Sequence, residues 1–167
     1  MSQTINDLDT AFNCALRLVA RTMKTESEVR KKLKEKGFQA LVINRAIEKL
    51  KENNFINDEN YVKFYVDFYK TLRGSVRIEY ELLKKGVNLD LIREYTQEVD
   101  GVPYALKIAK TILKDQPYNK ENKEKLFRLL SAKGFKHTVI YDVIAVLKNQ
   151  SNNDVIDGDF SELCDND

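Results

Sequence analysis

The chain has 167 residues, 43% of them hydrophobic and 32% charged, which suits a folded protein with a substantial core and excludes a disordered or fibrous chain. Its two cysteines, Cys14 and Cys164, lie near opposite ends, and the opening MSQTINDLDT has neither the basic region nor the apolar core of a signal peptide, so a disulfide framework, a cysteine metal site and secretion are not expected. With no run long enough to span a bilayer, the expected setting is the reducing cytoplasm, with no membrane partner.

The net charge of +2 is unevenly divided, because residues 149–167 hold six acids and no Lys or Arg. The preceding 148 residues therefore set 28 bases against 20 acids and carry +8. A body so charged attracts a polyanion or an acidic protein surface. The tail, 150–167, is expected to be disordered, as a solubilising end or as a tether that competes for the basic surface.

In chain order, a flexible start over residues 1–8 precedes an apolar-rich first helix over 9–22 that carries Phe12, Ala15, Leu16, Val19 and Ala20. Thr25 caps the second helix, and Glu28, three residues on, is placed to bond back to it. That helix runs to Lys36, and a third follows over 39–53 with Ile43, Ile47 and Leu50 facing inward. After FINDENY (55–61), with Asn57 or Asp58 as cap, the fourth helix reaches residue 72. Its residues Tyr61, Phe64, Tyr65, Phe68 and Tyr69 cover more than one side, a pattern expected of a buried linking helix. The alternative is that interleaved aromatics and lysines form a platform for stacking bases.

Gly74 and Ser75 open a fifth helix over 77–85, and Asn88 caps the sixth. Pro103 falls in the first turn of the seventh, where a missing amide does no harm, and Pro117 lies beyond its end. An eighth helix runs from about 119 to Gly134 and a ninth over 136–148. No segment alternates as a strand should.

Three of these stretches, EVRKKLKEKGF (28–38), RIEYELLKKGV (77–87) and EKLFRLLSAKGF (124–135), share one pattern. Aligned on Gly37, Gly86 and Gly134, they place Val29, Ile78 and Leu126 eight residues before the glycine and Leu33, Leu82 and Leu130 four before it, on one helix face. Beyond the glycine, Phe38, Val87 and Phe135 coincide, as do Ile43, Ile92 and Ile140, and Leu50, Val99 and Leu147. At a further position Thr96 stands against Ile47 and Ile144. The period is 49 and then 48 residues, room for three helices. The expected fold is all-α, with three tandem three-helix repeats (9–54, 55–100 and 101–149) forming an elongated, curved, right-handed array. Each Lys-Gly reads as a helix stop, with the glycine left-handed and the lysine at the negative end of the helix dipole, and not as a phosphate loop.

Catalytic chemistry is not indicated. The single histidine, His137, has no companion ligands and reads as a surface residue, and there is no GKS or GKT phosphate loop, G-x-S-x-G elbow or HExxH. No enzyme activity, cofactor or metal is expected. Charge is more informative: residues 17–36 hold eight bases and three acids, and the charged positions differ between repeats while the apolar ones recur. A scaffold is shared, and what it touches differs.

In their order, Arg21, Thr25, EVRKKL (28–33), Gly37-Phe38, FIND (55–58), YVKFYV (61–66) and GSVRIEYELLKKGV (74–87) resemble the RecX family of regulatory proteins, over about residues 15–92 and more loosely in the third repeat. Asn54 stands where that family favours Gly, Asn57 for an Asp, Tyr69 near an Arg and Ser75 for a frequent Pro. The resemblance implies a non-catalytic regulator that lies in the groove of the RecA filament on single-stranded DNA and mainly inhibits its ATPase, strand-exchange and SOS-related activities; a monomer is expected. Candidate contacts to the filament or to DNA phosphate are Arg21 and Arg77, on family-matched positions, and Arg30, Lys34, Arg73 and Lys84, on charge. The alternatives are a basic helix-turn-helix-like module that binds DNA directly and an interaction scaffold unrelated to recombination.

Overall fold

The computed structural model describes residues 7–97, 99, 101–114 and 118–161, with backbone alone for 120 and 152–161. Among these residues there are nine α-helices and no strand: α1 (Leu8–Val19), α2 (Glu26–Glu35), α3 (Ala40–Glu52), α4 (Asp58–Tyr69), α5 (Ser75–Lys84), α6 (Leu89–Thr96), α7 (Val102–Leu113), α8 (Lys120–Ala132) and α9 (His137–Ser161). Helices of 8 to 13 residues, as the first eight are, are marginal alone and depend on packing. They fall into two compact units, one of residues 7–68 and 79–95, the other of 69–78 and 96–161. The first turn of α5 thus belongs to the second unit and the rest of α5 to the first.

The helix starts follow from their caps. Thr25 Oγ1 accepts from the Glu28 N–H, and the Thr25 N–H donates to the Glu28 carboxylate, which closes a capping box at α2. Asn57, Asn88 and Asn119 each accept from a backbone amide in the first turn that follows. Pro103 stands in the first turn of α7, while Pro117 lies outside the described residues.

The stops are equally regular. Gly37, Gly86 and Gly134 have φ of 86°, 76° and 85°, and each turn makes the same pair of backbone bonds. Gly37, Gly86 and Gly134 donate to Lys34, Leu83 and Ser131, and Phe38, Val87 and Phe135 donate to Leu33, Leu82 and Leu130. This is the Schellman arrangement, in which the residue after the glycine reaches back over the last turn. Asn54, φ 56°, closes α3 in the same way, with Phe55 donating to Leu50, because asparagine tolerates the left-handed region.

Every aligned apolar position is buried, from Val29, Ile78 and Leu126 to Leu50, Val99 and Leu147, and Thr96 is buried with Ile47 and Ile144. In the first unit Val29, Leu33, Ile43, Ile47 and Leu50 form a core with Ala11, Ala15 and Ala46. These three alanines are fully buried, and their small side chains let α1 lie close on α3. In the second unit Ala105, Ala109, Leu126, Leu130, Phe135, Ile140 and Ile144 build the corresponding core from α7, α8 and α9.

The structure departs from expectation in three places. α1 stops at Val19 rather than at residue 22, and Ala20 is exposed. α9 continues to Ser161 instead of ending near 148, so the acidic tail is helical over that stretch; neither Pro nor Gly intervenes before Gly158, and propagation adds a bond with each residue. Residues 1–6 and 162–167, the rest of both expected flexible ends, lie outside the described residues. Finally, α4 is not a buried linker. Tyr61, Val62 and Val66 are buried, but Phe64 and Phe68 are 61% and 59% exposed and stack on each other at 6.4 Å. One face of the helix packs, and this i,i+4 pair lies on another.

Candidate interaction surface

Each unit contains the same kind of joint, in which a Lys-Gly turn meets the start of a helix. In the first, Thr25 Oγ1 donates to the Lys85 carbonyl at 2.7 Å, and a Cβ added to Gly86 would lie 2.1 Å from Ser27 Oγ. In the second, the Gly74 N–H donates to the Lys133 carbonyl at 3.0 Å and the Val76 N–H to the Gly134 carbonyl at 3.2 Å. A Cβ on Gly134 would lie 2.4 Å from Arg77 Cβ. Only glycine permits that approach at a left-handed turn.

The joint in the first unit anchors a network of charges. The Asp58 carboxylate accepts from the Glu26 N–H at 2.8 Å, and Glu26 is paired with Arg30 at 2.7 Å and Lys51 at 2.9 Å. Burial raises the Asp58 carboxyl above its ordinary 3.8, as do the charges of Glu26 and Glu28, although the bond from the Glu26 amide and the Lys51 charge oppose them. Burial also pushes Glu26 up, but the hydrogen bonds and charges of Lys51 and Arg30 outweigh it and hold that carboxyl below 4.5. Lys85 is paired with Glu28 at 3.1 Å and lies over the Tyr61 ring. Burial favours its neutral form, yet Tyr61 and Glu28 prevail and raise its pKa above 10.5.

The candidate cations divide between the units. Arg21, Arg30, Lys34 and Lys84 stand on the first, Arg73 and Arg77 on the second. Arg30 is engaged with Glu26 and with Asn44 Oδ1, the latter at 2.6 Å, so its guanidinium is already part of the scaffold. Lys34, one turn along α2, is exposed. Lys84 lies over the Tyr80 ring at 4.5 Å and Arg73 over the Tyr69 ring at 4.0 Å. Arg77 is exposed, with its backbone and Cβ against Gly134. Arg21 lines a groove with Arg17 and Lys36. Neither was marked in sequence as a binding residue, Lys36 being read there as part of a helix stop, although the i,i+4 spacing of Arg17 and Arg21 would have put those two on one face.

His137 is exposed and contacts the Phe127 ring at 5.0 Å. Among the described residues no three His, Cys, Asp or Glu side chains are grouped to hold a metal, and no helix is long and apolar enough to cross a membrane.

These features define a class: an all-α protein of repeated three-helix elements that displays cationic side chains on its surface. The family description "RecX, first three-helix domain" matches residues 11–50. Regulatory protein RecX of Clostridium perfringens (strain SM101) is 39% identical over 144 residues, covering 82% of this chain and 68% of the relative. The RecX of Clostridium beijerinckii is 37% identical over 157 residues, or 85% and 71% of the two chains. The crystal structure of RecX from Lactobacillus salivarius aligns with a TM-score of 0.75 at 26% identity, over 84% of this chain and 96% of that one. The chain belongs to the RecX family of regulatory proteins.

Proposed function

We propose that this protein is a non-catalytic, cytoplasmic regulator that binds the RecA nucleoprotein filament on single-stranded DNA, in its groove, as a monomer. Its three repeats, 9–54, 55–100 and 101–149, present Arg21, Lys34, Arg73, Arg77 and Lys84 to acidic groups of the filament or to DNA phosphate, with Arg30 both supporting the scaffold and contributing charge. Binding to one filament state better than to others lowers ATPase and strand-exchange activity, since a ligand shifts an equilibrium only by its differential affinity. SOS-related activity falls with them. Membership of a family of regulatory proteins carries this reading, and the exposed cations support it. Titration of the chain into a DNA-stimulated RecA ATPase reaction should lower the rate, and an unchanged rate at saturating chain would refute the proposal.

The exposed Phe64–Phe68 pair favours a second reading, direct binding of single-stranded DNA, because stacked bases contribute about 1–3 kcal/mol each. Tight, steeply salt-dependent binding to naked DNA, with no effect on the recombinase, would select it.

A further inference from the structure

We propose that the groove alongside α1 is a docking site for an acidic peptide segment that carries an apolar side chain next to its carboxylates. The groove has a volume of about 650 Å³, within the roughly 300–1,000 Å³ typical of ligand-sized clefts. Cys14 and Leu18 from α1, both part-exposed, supply apolar surface with only a small contribution from the buried Phe38, and Arg17, Arg21 and Lys36 supply three positive charges. Residues 14, 17, 18 and 21 recur at helical spacing, so they share one side of α1 and of the turn that follows it. Ala11 and Ala15, next round the helix from Leu18, are buried. The left-handed Gly37 turn brings Lys36 and Phe38 to the same groove.

Among the described residues no carboxylate lines the groove, and Arg17, Arg21 and Lys36 form no ion pair. Around α2, by contrast, Glu26 is matched to Arg30 and Lys51, Glu35 to Lys32, and Glu28 to Lys85. The intramolecular neutralisation that operates around α2 is therefore missing here, and the missing charge is negative. The apolar surface decides between two anionic ligands. Phosphodiester has no apolar branch to cover Leu18 and Cys14, and Phe38, 6% exposed, offers no open ring face on which a base could stack. A peptide with leucine or a similar residue between carboxylates satisfies both halves of the groove.

This inference is compatible with the filament reading but does not require it, because it concerns what the chain binds and not what its binding inhibits. The test uses the full chain with Cys164→Ser, which leaves Cys14 as the only thiol, and needs no recombinase. A fluorescent hexapeptide alternating aspartate and leucine should bind by anisotropy, and at saturation it should slow maleimide modification of Cys14 at least fivefold. Arg17→Gln with Arg21→Gln, both on exposed positions, should weaken the peptide at least tenfold. An aspartate-serine hexapeptide should bind more weakly, and a thymidine 15-mer should leave Cys14 unprotected. Protection of Cys14 by the oligonucleotide equal to that by the peptide would overturn the assignment, as would undiminished peptide binding by the double variant or no protection at all. Absence of RecA inhibition by the parent chain in the separate ATPase titration, with peptide binding intact, would count against the filament reading alone.

Discussion

Replacing Gly134 with alanine tests the physical logic of the joint most directly. Its φ of 85° places an L residue in the left-handed region, at about 1–2 kcal/mol. The added methyl would also lie 2.4 Å from Arg77 Cβ and 2.5 Å from the Arg77 backbone nitrogen. Backbone cannot rotate away as a long side chain can, so the start of α5 must move, at a cost typical of overpacking, about 1–3 kcal/mol. That movement would strain the bonds from Gly74 to Lys133 and from Val76 to Gly134. Together the effects amount to roughly 2–5 kcal/mol, or a fall in Tm of about 5–15 °C for a chain of this length. Urea and thermal unfolding followed by circular dichroism would measure it, and faster hydrogen exchange at the Gly74 and Val76 amides would locate it. Lys114→Gly is the internal control: Lys114 has φ 54°, and removing its Cβ should leave stability unchanged or raise it by up to about 1 kcal/mol after the entropy of the new glycine is counted. A Gly134→Ala protein within about 0.5 kcal/mol of the parent, below the expected torsional cost alone, would refute the reasoning.

Thr25→Ala should cost about 1 kcal/mol for the lost cap and about 1–3 more because the Lys85 carbonyl loses its donor, whereas Thr25→Ser, which keeps the hydroxyl, should retain most of the stability in urea. Asp58 gives a pH signature. Its folded-state pKa is raised, so the stability linked to its protonation is present at low pH and is lost as pH rises through the window just above 3.8. Glu26 has the opposite sign: its contribution is present above 4.5 and is lost as pH falls below that. Asp58→Asn keeps an oxygen for the Glu26 amide while removing the titration, so its Tm should improve relative to the parent between pH 3.5 and 6.5. Parallel Tm curves for the two proteins would contradict this assignment.

The sequence pattern made much of the fold legible because the deciding forces are local. A threonine three residues before a glutamate, an asparagine before an apolar run, and a glycine followed by an apolar residue each specify a helix end through bonds within one turn, and Thr25, Asn119 and Gly134 show them. The recurring apolar positions were legible for the same reason, since burial follows helical spacing. The aromatic face of α4 was not, because periodicity shows that Phe64 and Phe68 share a face but not which neighbour that face meets. Charge pairing was legible only in part. The i,i+4 spacing of Glu26 and Arg30 stands in the sequence, but the bond from Arg30 to Asn44, brought in from α3, and that from Lys51 to Glu26 do not.

At two of the three Lys-Gly turns the joints give the glycine and the carbonyl before it a structural task, although the lysine side chains have different surroundings. What the joints use is the lysine carbonyl, presented by the glycine turn to a donor at the start of another helix. That donor is the Thr25 hydroxyl in one case and the Gly74 amide, at the aligned position, in the other. The acceptor is constrained and the donor is not. The lysine side chains are therefore free to diverge: Lys85 is held by Glu28 over Tyr61, Lys133 is exposed, and Lys36 borders the α1 groove. Recurrence in this chain thus identifies backbone chemistry and says little about side-chain function. A binding residue has to be sought where a repeated position acquires an unrepeated neighbourhood, and among the three lysines Lys36, with Arg17 and Arg21 beside a groove whose described lining holds no acid, meets that criterion.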